Sequence, residues 1–239
     1  MGRRRSEIEP RQGVVPNSAA PGPAGGPPRY GRSMPTDRSV AFFDAQFRRS
    51  TGDAALALNP FEVLALPYLS GHVLDFGCGL GNLAFAAAQR GCTVIALDAS
   101  PAAIEHVRSR AVNEALPVSA TLADLRDHAI DGMYDAIVSI GLLMFFDCPT
   151  ALRTLAQLQS HVRPGGVAAV NVLVEGTTYL DMFDPRQHCL FTADELRRRF
   201  AGWHIEHEEF GDYAAPNGTV KRFATVVARK IANRPDARP

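Results

Sequence analysis

Lysine is nearly missing from this chain: of 25 basic residues only Lys221 and Lys230 are lysine, the rest being arginine. A bias spread over the whole length reads as the mark of a GC-rich genome, not of a function. Net charge is missing too, since 25 acidic residues balance the 25 basic ones. No global attraction to nucleic acid or to a membrane surface is therefore expected. No apolar run approaches the roughly 20 residues that span a bilayer. Arg3-Arg4-Arg5 has no apolar core behind it and is not read as a signal peptide. The four cysteines, Cys78, Cys92, Cys148 and Cys189, make no CxxC and share no ligand spacing with histidine. No structural metal site is expected, and reduced thiols in the cytoplasm are. Residues 1–37 are rich in Pro, Gly and Arg and too poor in apolar residues to offset their ordering entropy. They read as a disordered tail or an arginine-based docking tail, followed by one domain over 38–231 and a short tail over 232–239.

What is present centres on Val73 to Asp98. A short apolar run ends in Asp75, and glycines follow at Gly77, Gly79 and Gly81. Helix formers run from Leu83 to Gln89, Gly91 closes them, and a second apolar run ends in Asp98. This is strand, tight loop, helix, strand, the opening of a parallel α/β sheet. Such sheets bind ligands beyond the carboxyl ends of their strands, where the strand order reverses. The glycines let a ligand approach the backbone closely. Asp98, at a strand tip, can accept both hydroxyls of a ribose.

Two cofactor classes use this design. Gly79-Leu80-Gly81-Asn82-Leu83-Ala84 satisfies a dinucleotide fingerprint, G-x-G-x-x-A. Asp75-x-Gly77-x-Gly79-x-Gly81 resembles motif I of the class I S-adenosylmethionine (SAM) methyltransferases. The downstream order decides between them. A helix over Ala151–Val162, a turn at Arg163-Pro164-Gly165-Gly166 and a strand over Val167–Val174 are common in that family and unusual in dinucleotide dehydrogenases.

The resemblance implies an α/β fold: a Rossmann-like sheet with helices on both faces and an antiparallel C-terminal strand pair. It implies SAM as cofactor, S-adenosylhomocysteine as product, and a cofactor site of Asp75, Gly77, Cys78, Gly79, Asp98, Ala99, Asp124, Leu125 and Ile140. Asp124, just after the expected third strand Val118–Leu122, matches the acid that meets the adenine amino group; a turn aspartate is the plainer reading. Ser100 and Pro101 cap and start a helix to about Asn113. Tyr134–Ile140 reads as the fourth strand, with a structural Asp135 at its start. The apolar run Gly141–Asp147 has no N-P-P-Y motif, which counts against methylation of DNA bases or protein glutamine. Helices are also expected over Val40–Phe47 and Phe61–Leu69, where Phe47 is either core or lid.

The C-terminal third resembles the TehB-type tellurite-resistance methyltransferases, in Leu142–Phe146, in Phe191–Trp203, and in Asn217-Gly218 with Lys221–Lys230. That branch methylates soft sulfur, selenium and tellurium species. Its His-Arg pair before the closing strand has no counterpart, because Gly211–Pro216 stands there. Tyr213 and Arg222 remain as substrate-side candidates, with Phe47, Tyr179 and Phe183. A soft anionic nucleophile needs no strong base, so no compulsory catalytic residue is expected. His188 and Tyr213 are the weak candidates, and an ordinary surface histidine is the alternative for His188. Thr192 and Glu195 read as a capping box, with strands over Trp203–Phe210 and Arg222–Arg229 joined through Asn217-Gly218. The acceptor is expected to be a small molecule, with no nucleic acid and no membrane as partner; nothing in the sequence fixes the oligomeric state. A biosynthetic O- or N-methyltransferase with a base in the Glu175–Leu190 segment, or a non-catalytic SAM-binding subunit, are the competing readings.

Overall fold

Seven apolar runs become seven strands of one sheet: β1 (His72–Phe76), β2 (Thr93–Asp98), β3 (Val118–Leu122), β4 (Tyr134–Ile140), β5 (Val162–Leu173), β6 (Trp203–Ala214) and β7 (Val220–Lys230). The computed structural model describes residues 38–49 and 56–232. The expected N-terminal tail, 1–37, and residues 233–239 of the C-terminal tail lie outside them. Strand order is β3-β2-β1-β4-β5-β7-β6. The first five strands are parallel neighbours, and β7 pairs antiparallel with both β5 and β6. The expected α/β fold class is therefore observed, with the order reversing between β1 and β4.

Side chains alternate across the sheet, and each face buries its own cluster. On one face Val73, Val94, Ala136 and Val138 meet Leu83 and Phe85 of α3 (Asn82–Gln89) and Ile104 and Val107 of α4 (Pro101–Asn113). On the other, Leu74, Phe76, Ile137 and Val170 meet Leu155 and Leu158 of α5 (Cys148–Ser160), Leu196 of α6 (Ala193–Arg199) and Phe200 just after it. Ahead of β1 lie α1 (Arg38–Arg49) and α2 (Pro60–Ala65), which continues as a tight 3-10 turn over Leu66–Tyr68. No helix among the described residues is long and apolar enough to cross a membrane.

Several boundaries differ from expectation for local reasons. Helix α5 starts three residues before Ala151, because Asp147 caps it through the Thr150 N–H (3.0 Å) and Pro149 sits in its first turn. Strand β5 begins ahead of the Pro-Gly-Gly turn: Tyr134 faces Val162 but Ala136 faces Val167, so the turn is an irregularity inside the strand. Asp135 is structural as expected, accepting from the His72 N–H (2.8 Å) and pairing with Arg163. The Asn217-Gly218 turn forms, with both residues at positive φ. The Thr192–Glu195 capping box does not. The Thr192 hydroxyl is buried without a hydrogen-bond partner, while Glu195 accepts from Arg199 (2.9 Å).

The thiol expectation is corrected for two of the four cysteines. Cys148, the first residue of α5, is joined by a disulfide to Cys189 in the irregular segment ahead of α6. Cys78 and Cys92 are free and buried.

Candidate functional site

Beyond the carboxyl ends of β1, β2 and β4 lies a cavity of about 420 Å³. Its floor is the loop after β1. The N–H groups of Gly77 and Cys78 both donate to the Leu97 carbonyl (2.8 and 3.0 Å), which folds the loop back over β2. Gly77 has φ +92°, and a Cβ there would come within 2.9 Å of Leu142. Gly79 has φ +51°, and the Phe47 ring tip would lie 3.3 Å from its Cβ. Only glycine permits both the turn and the close approach.

Asp98 fixes the loop to the next helix. One of its oxygens accepts from the Gly79 N–H (2.9 Å) and the other from the Ser100 N–H (2.8 Å). The Ala99 N–H also bears on this carboxylate, which keeps acceptor capacity for a ligand. Asp75 is buried beside it, and its Oδ2 has no hydrogen-bond partner. Burial, reinforced by the charges of Glu62 and Asp98, pushes the Asp75 carboxyl up to about 8. Burial also raises Asp98 and Glu62. Asp124 is held by Arg126 through both carboxylate oxygens (3.0 and 3.1 Å), and Arg126 reaches on to Gln187 (3.4 Å). Four carboxylates and one paired arginine thus line the wall, which suits a cationic ligand.

The raised Asp75 has a consequence for the free protein. Its folded-state carboxyl holds a proton that the unfolded chain releases near the ordinary value of 3.8. Its contribution to stability therefore falls as pH rises from that value towards about 8 and is flat above. The Asp75→Asn variant is expected to lose this part of the slope. Melting temperatures of both proteins between pH 5 and pH 8, roughly the window concerned, check it. Parallel curves would show that Asp75 is ionised throughout.

All nine residues assigned to the cofactor by sequence, Asp75, Gly77, Cys78, Gly79, Asp98, Ala99, Asp124, Leu125 and Ile140, line this one cavity, and so does Phe47. The other substrate-side candidates do not. The segment between β5 and α6 turns its aromatics into a small core of its own. There Phe183, buried, packs on Phe145 (5.0 Å) and His188 (5.0 Å), one layer behind the wall. His188 faces the Asp184 carbonyl with Nδ1 (3.2 Å). Tyr179 lies under the Lys221 ammonium (4.8 Å). Tyr213 packs edge-on against Phe61 and Phe223. Arg222 is paired with Asp212 through two bonds of 2.7 and 2.8 Å.

One residue of the wall, Glu62, was missed by sequence reasoning. Glu62 enters from α2, where it forms a capping box with Asn59: the Asn59 N–H donates to Glu62 Oε2 (2.7 Å) and the Asn59 side chain accepts from the Glu62 N–H (3.0 Å). The N-P-x-E spacing after Leu58 carried that signal. Phe43, Leu142, Phe145 and Phe146 close the remaining side, with Phe43 edge-on to Phe145 at 5.1 Å.

Residues 73–166 match a family described as a methyltransferase domain. Hemagglutinin 1 of Eikenella corrodens is 34% identical over 141 residues, covering 57% of this chain and 45% of that protein. A probable S-adenosyl-L-methionine-dependent methyltransferase, TehB of Haemophilus influenzae, is 27% identical over 185 residues, 74% of this chain and 60% of that protein. The crystal structure of TehB from Haemophilus influenzae superposes with a TM-score of 0.63 at 23% identity, covering 80% of this chain and 67% of that one. A structure from the conversion of a disulfide bond into a thioacetal group during echinomycin biosynthesis gives 0.58 at 26% identity, over 82% of this chain and 94% of that one. The chain spans about half the length of the first curated relatives it matches.

Proposed function

We propose that this chain, which carries a methyltransferase domain on the class I SAM-dependent methyltransferase fold, moves a methyl group from SAM to a small soft nucleophile at sulfur, selenium or tellurium. The cofactor fits the wall on three observations. A buried carboxylate oxygen of Asp75 lacks a partner, the Gly77–Gly79 loop lines the cavity, and four carboxyl groups stand there against one arginine already paired with Asp124. SAM is a cation through its sulfonium and ammonium groups. Asp98 would take the ribose hydroxyls with its spare lone pairs. Asp75, with Glu62 beside it, would meet the amino-acid end, where a cation favours the ionised carboxylate.

When bound, SAM supplies an electrophilic methyl group on sulfur. The chain contributes alignment and exclusion of water. Phe43, Phe47, Leu142, Phe145 and Phe146 form a dry wall beside the Gly77–Gly79 loop. The carrying observation for the acceptor class is that no His, Lys or Tyr among the described residues lines this cavity, while its raised carboxyls, Asp75 and Glu62, are taken up by the amino-acid end of the cofactor in this reading. An alcohol or ammonium group would need a base there. A thiol, with an ordinary pKa of about 8.5, supplies a reactive thiolate fraction without a strong base, and a more acidic selenol supplies more. The echinomycin structure, similar over 82% of this chain, comes from chemistry at sulfur. His188 was the candidate base for an O- or N-methyltransferase, and its engagement with Phe183 and Asp184 weighs against that reading. The anionic lining likewise favours a free small molecule over a nucleic acid.

The test is S-adenosylhomocysteine release from purified protein and SAM, with glutathione-treated selenite or tellurite, simple thiols, phenols and amines as parallel acceptors. Turnover confined to sulfur, selenium or tellurium acceptors is expected. Turnover only with a phenol or an amine would overturn the acceptor class.

A further inference from the structure

Helix α1 lies across the cavity, with Ser39, Val40, Phe43, Gln46 and Phe47 in its wall. It is fastened at two places. At its start the Ser39 hydroxyl donates to the carbonyl of Met182, in the segment between β5 and α6 (3.4 Å). At its middle Asp44 reaches the first turn of α4, where one carboxylate oxygen accepts from the Ser100 hydroxyl (2.6 Å) and from the Ala102 N–H (3.0 Å). The other oxygen accepts from Arg48 one turn on (2.8 Å), which orients the group.

The first turn of α4 has a specific need for that carboxylate. Pro101, at the first helical position, has no N–H to satisfy. The Ser100 hydroxyl accepts from Ala103 (3.1 Å) and so caps the third position. Ala102, the second, has its acceptor on another helix, in Asp44. Ser100 also donates its backbone N–H to Asp98. One serine therefore stands between two carboxylates, Asp98 in the cofactor wall and Asp44 on the helix that covers it.

We infer that Asp44 is a positioning residue that latches α1 over the cofactor through the Asp98–Ser100–Asp44 hydrogen-bond chain, so that a ligand engaging Asp98 tightens the cover. The inference rests on the reading of Asp98 as the ribose contact. A ligand hydroxyl on Asp98 fixes its carboxylate, which fixes Ser100. Ser100 in turn presents its hydroxyl to Asp44 and holds Phe43 and Phe47 in the wall. Phe47 then closes against Gly79, where there is no side chain to obstruct it.

Amide hydrogen exchange of α1 and the dissociation rate of S-adenosylhomocysteine test this in the full chain, in wild type, Asp44→Ala and Asp44→Asn. Without ligand, loss of the cap in Asp44→Ala is expected to speed α1 exchange about five- to tenfold, roughly the worth of a helix cap. With S-adenosylhomocysteine, wild-type α1 slows further. Asp44→Ala does not, and it releases the ligand about tenfold faster. Asparagine keeps an acceptor oxygen and restores most of both effects. A merely structural Asp44 would lower the melting temperature yet leave the dissociation rate unchanged, and that result overturns the inference. Ligand bound by wild type with no change in α1 exchange overturns the latch alone. No uptake of S-adenosylhomocysteine by wild type overturns the cofactor reading and the coupling with it.

Discussion

Replacing Asp98 with alanine is expected to weaken S-adenosylhomocysteine binding about a hundredfold, near 2.7 kcal/mol, because hydrogen bonds to a charged partner are worth about 1.5–3 kcal/mol each. The carboxylate does two jobs at once. It holds the Gly79 and Ser100 N–H groups, and it lines the cavity. Alanine removes both, leaving two backbone donors near the ligand without an acceptor. Calorimetric titration with S-adenosylhomocysteine measures the loss, and far-ultraviolet circular dichroism of the free variant checks that the sheet survives. An affinity change below about fivefold, roughly 1 kcal/mol, would sink the placement of the ribose on Asp98. Asp98→Asn keeps one acceptor oxygen for a donor in the loop and is expected to fall between wild type and alanine.

Breaking the Cys148–Cys189 bridge is expected to cost between about 3 and 4 kcal/mol of stability, from the chain entropy released when a closed loop of this length is opened. The cysteines are 41 residues apart. The bridge ties the start of α5, just past Phe145 and Phe146 in the cavity wall, to the segment holding Met182, Phe183 and His188. Urea unfolding with and without a reductant, alongside the Cys148→Ser, Cys189→Ser double variant, measures the cost. Thiol titration of the denatured, unreduced protein is expected to find two thiols, Cys78 and Cys92. Four would mean that the bridge is absent in solution.

Sequence made the loop legible because its chemistry dictates residue type and spacing together. A backbone at positive φ beside Leu142 and Phe47 demands Gly77 and Gly79, and a strand tip beside that loop demands an acceptor at Asp98. Strand periods placed the rest of the parallel sheet for the same local reasons. Glu62 and Asp44 were not legible in this way. They sit on helices ahead of β1, and only the packing of those helices brings Glu62 to the cavity and Asp44 to the first turn of α4. The aromatics between β5 and α6 misled in the opposite sense. Tyr179, Phe183 and His188 occur where a substrate loop was expected, but an aromatic residue is as well used covering a core, and here they do that. The disulfide left no trace in the spacing, since a sequence separation of 41 says nothing about proximity. At Thr192 the sequence pattern was present but another partner won: Arg199 engages Glu195 from the next turn.

The position of β7 bears on how the molecule is assembled. Although last in the chain among the seven strands, it lies inside the sheet, and β6, made earlier, has β7 as its one neighbouring strand. A chain growing from its N-terminus can pair β1 through β5 as each strand emerges, and with them form the cofactor loop. For about the time needed to add β7, on the order of a second at 5–20 residues per second, β6 has no partner, and the outer edge of β5, with Val170 and Val172, stays open. The last strand to arrive closes both edges in one step. That interval exposes the apolar edge most prone to pairing with a neighbouring chain.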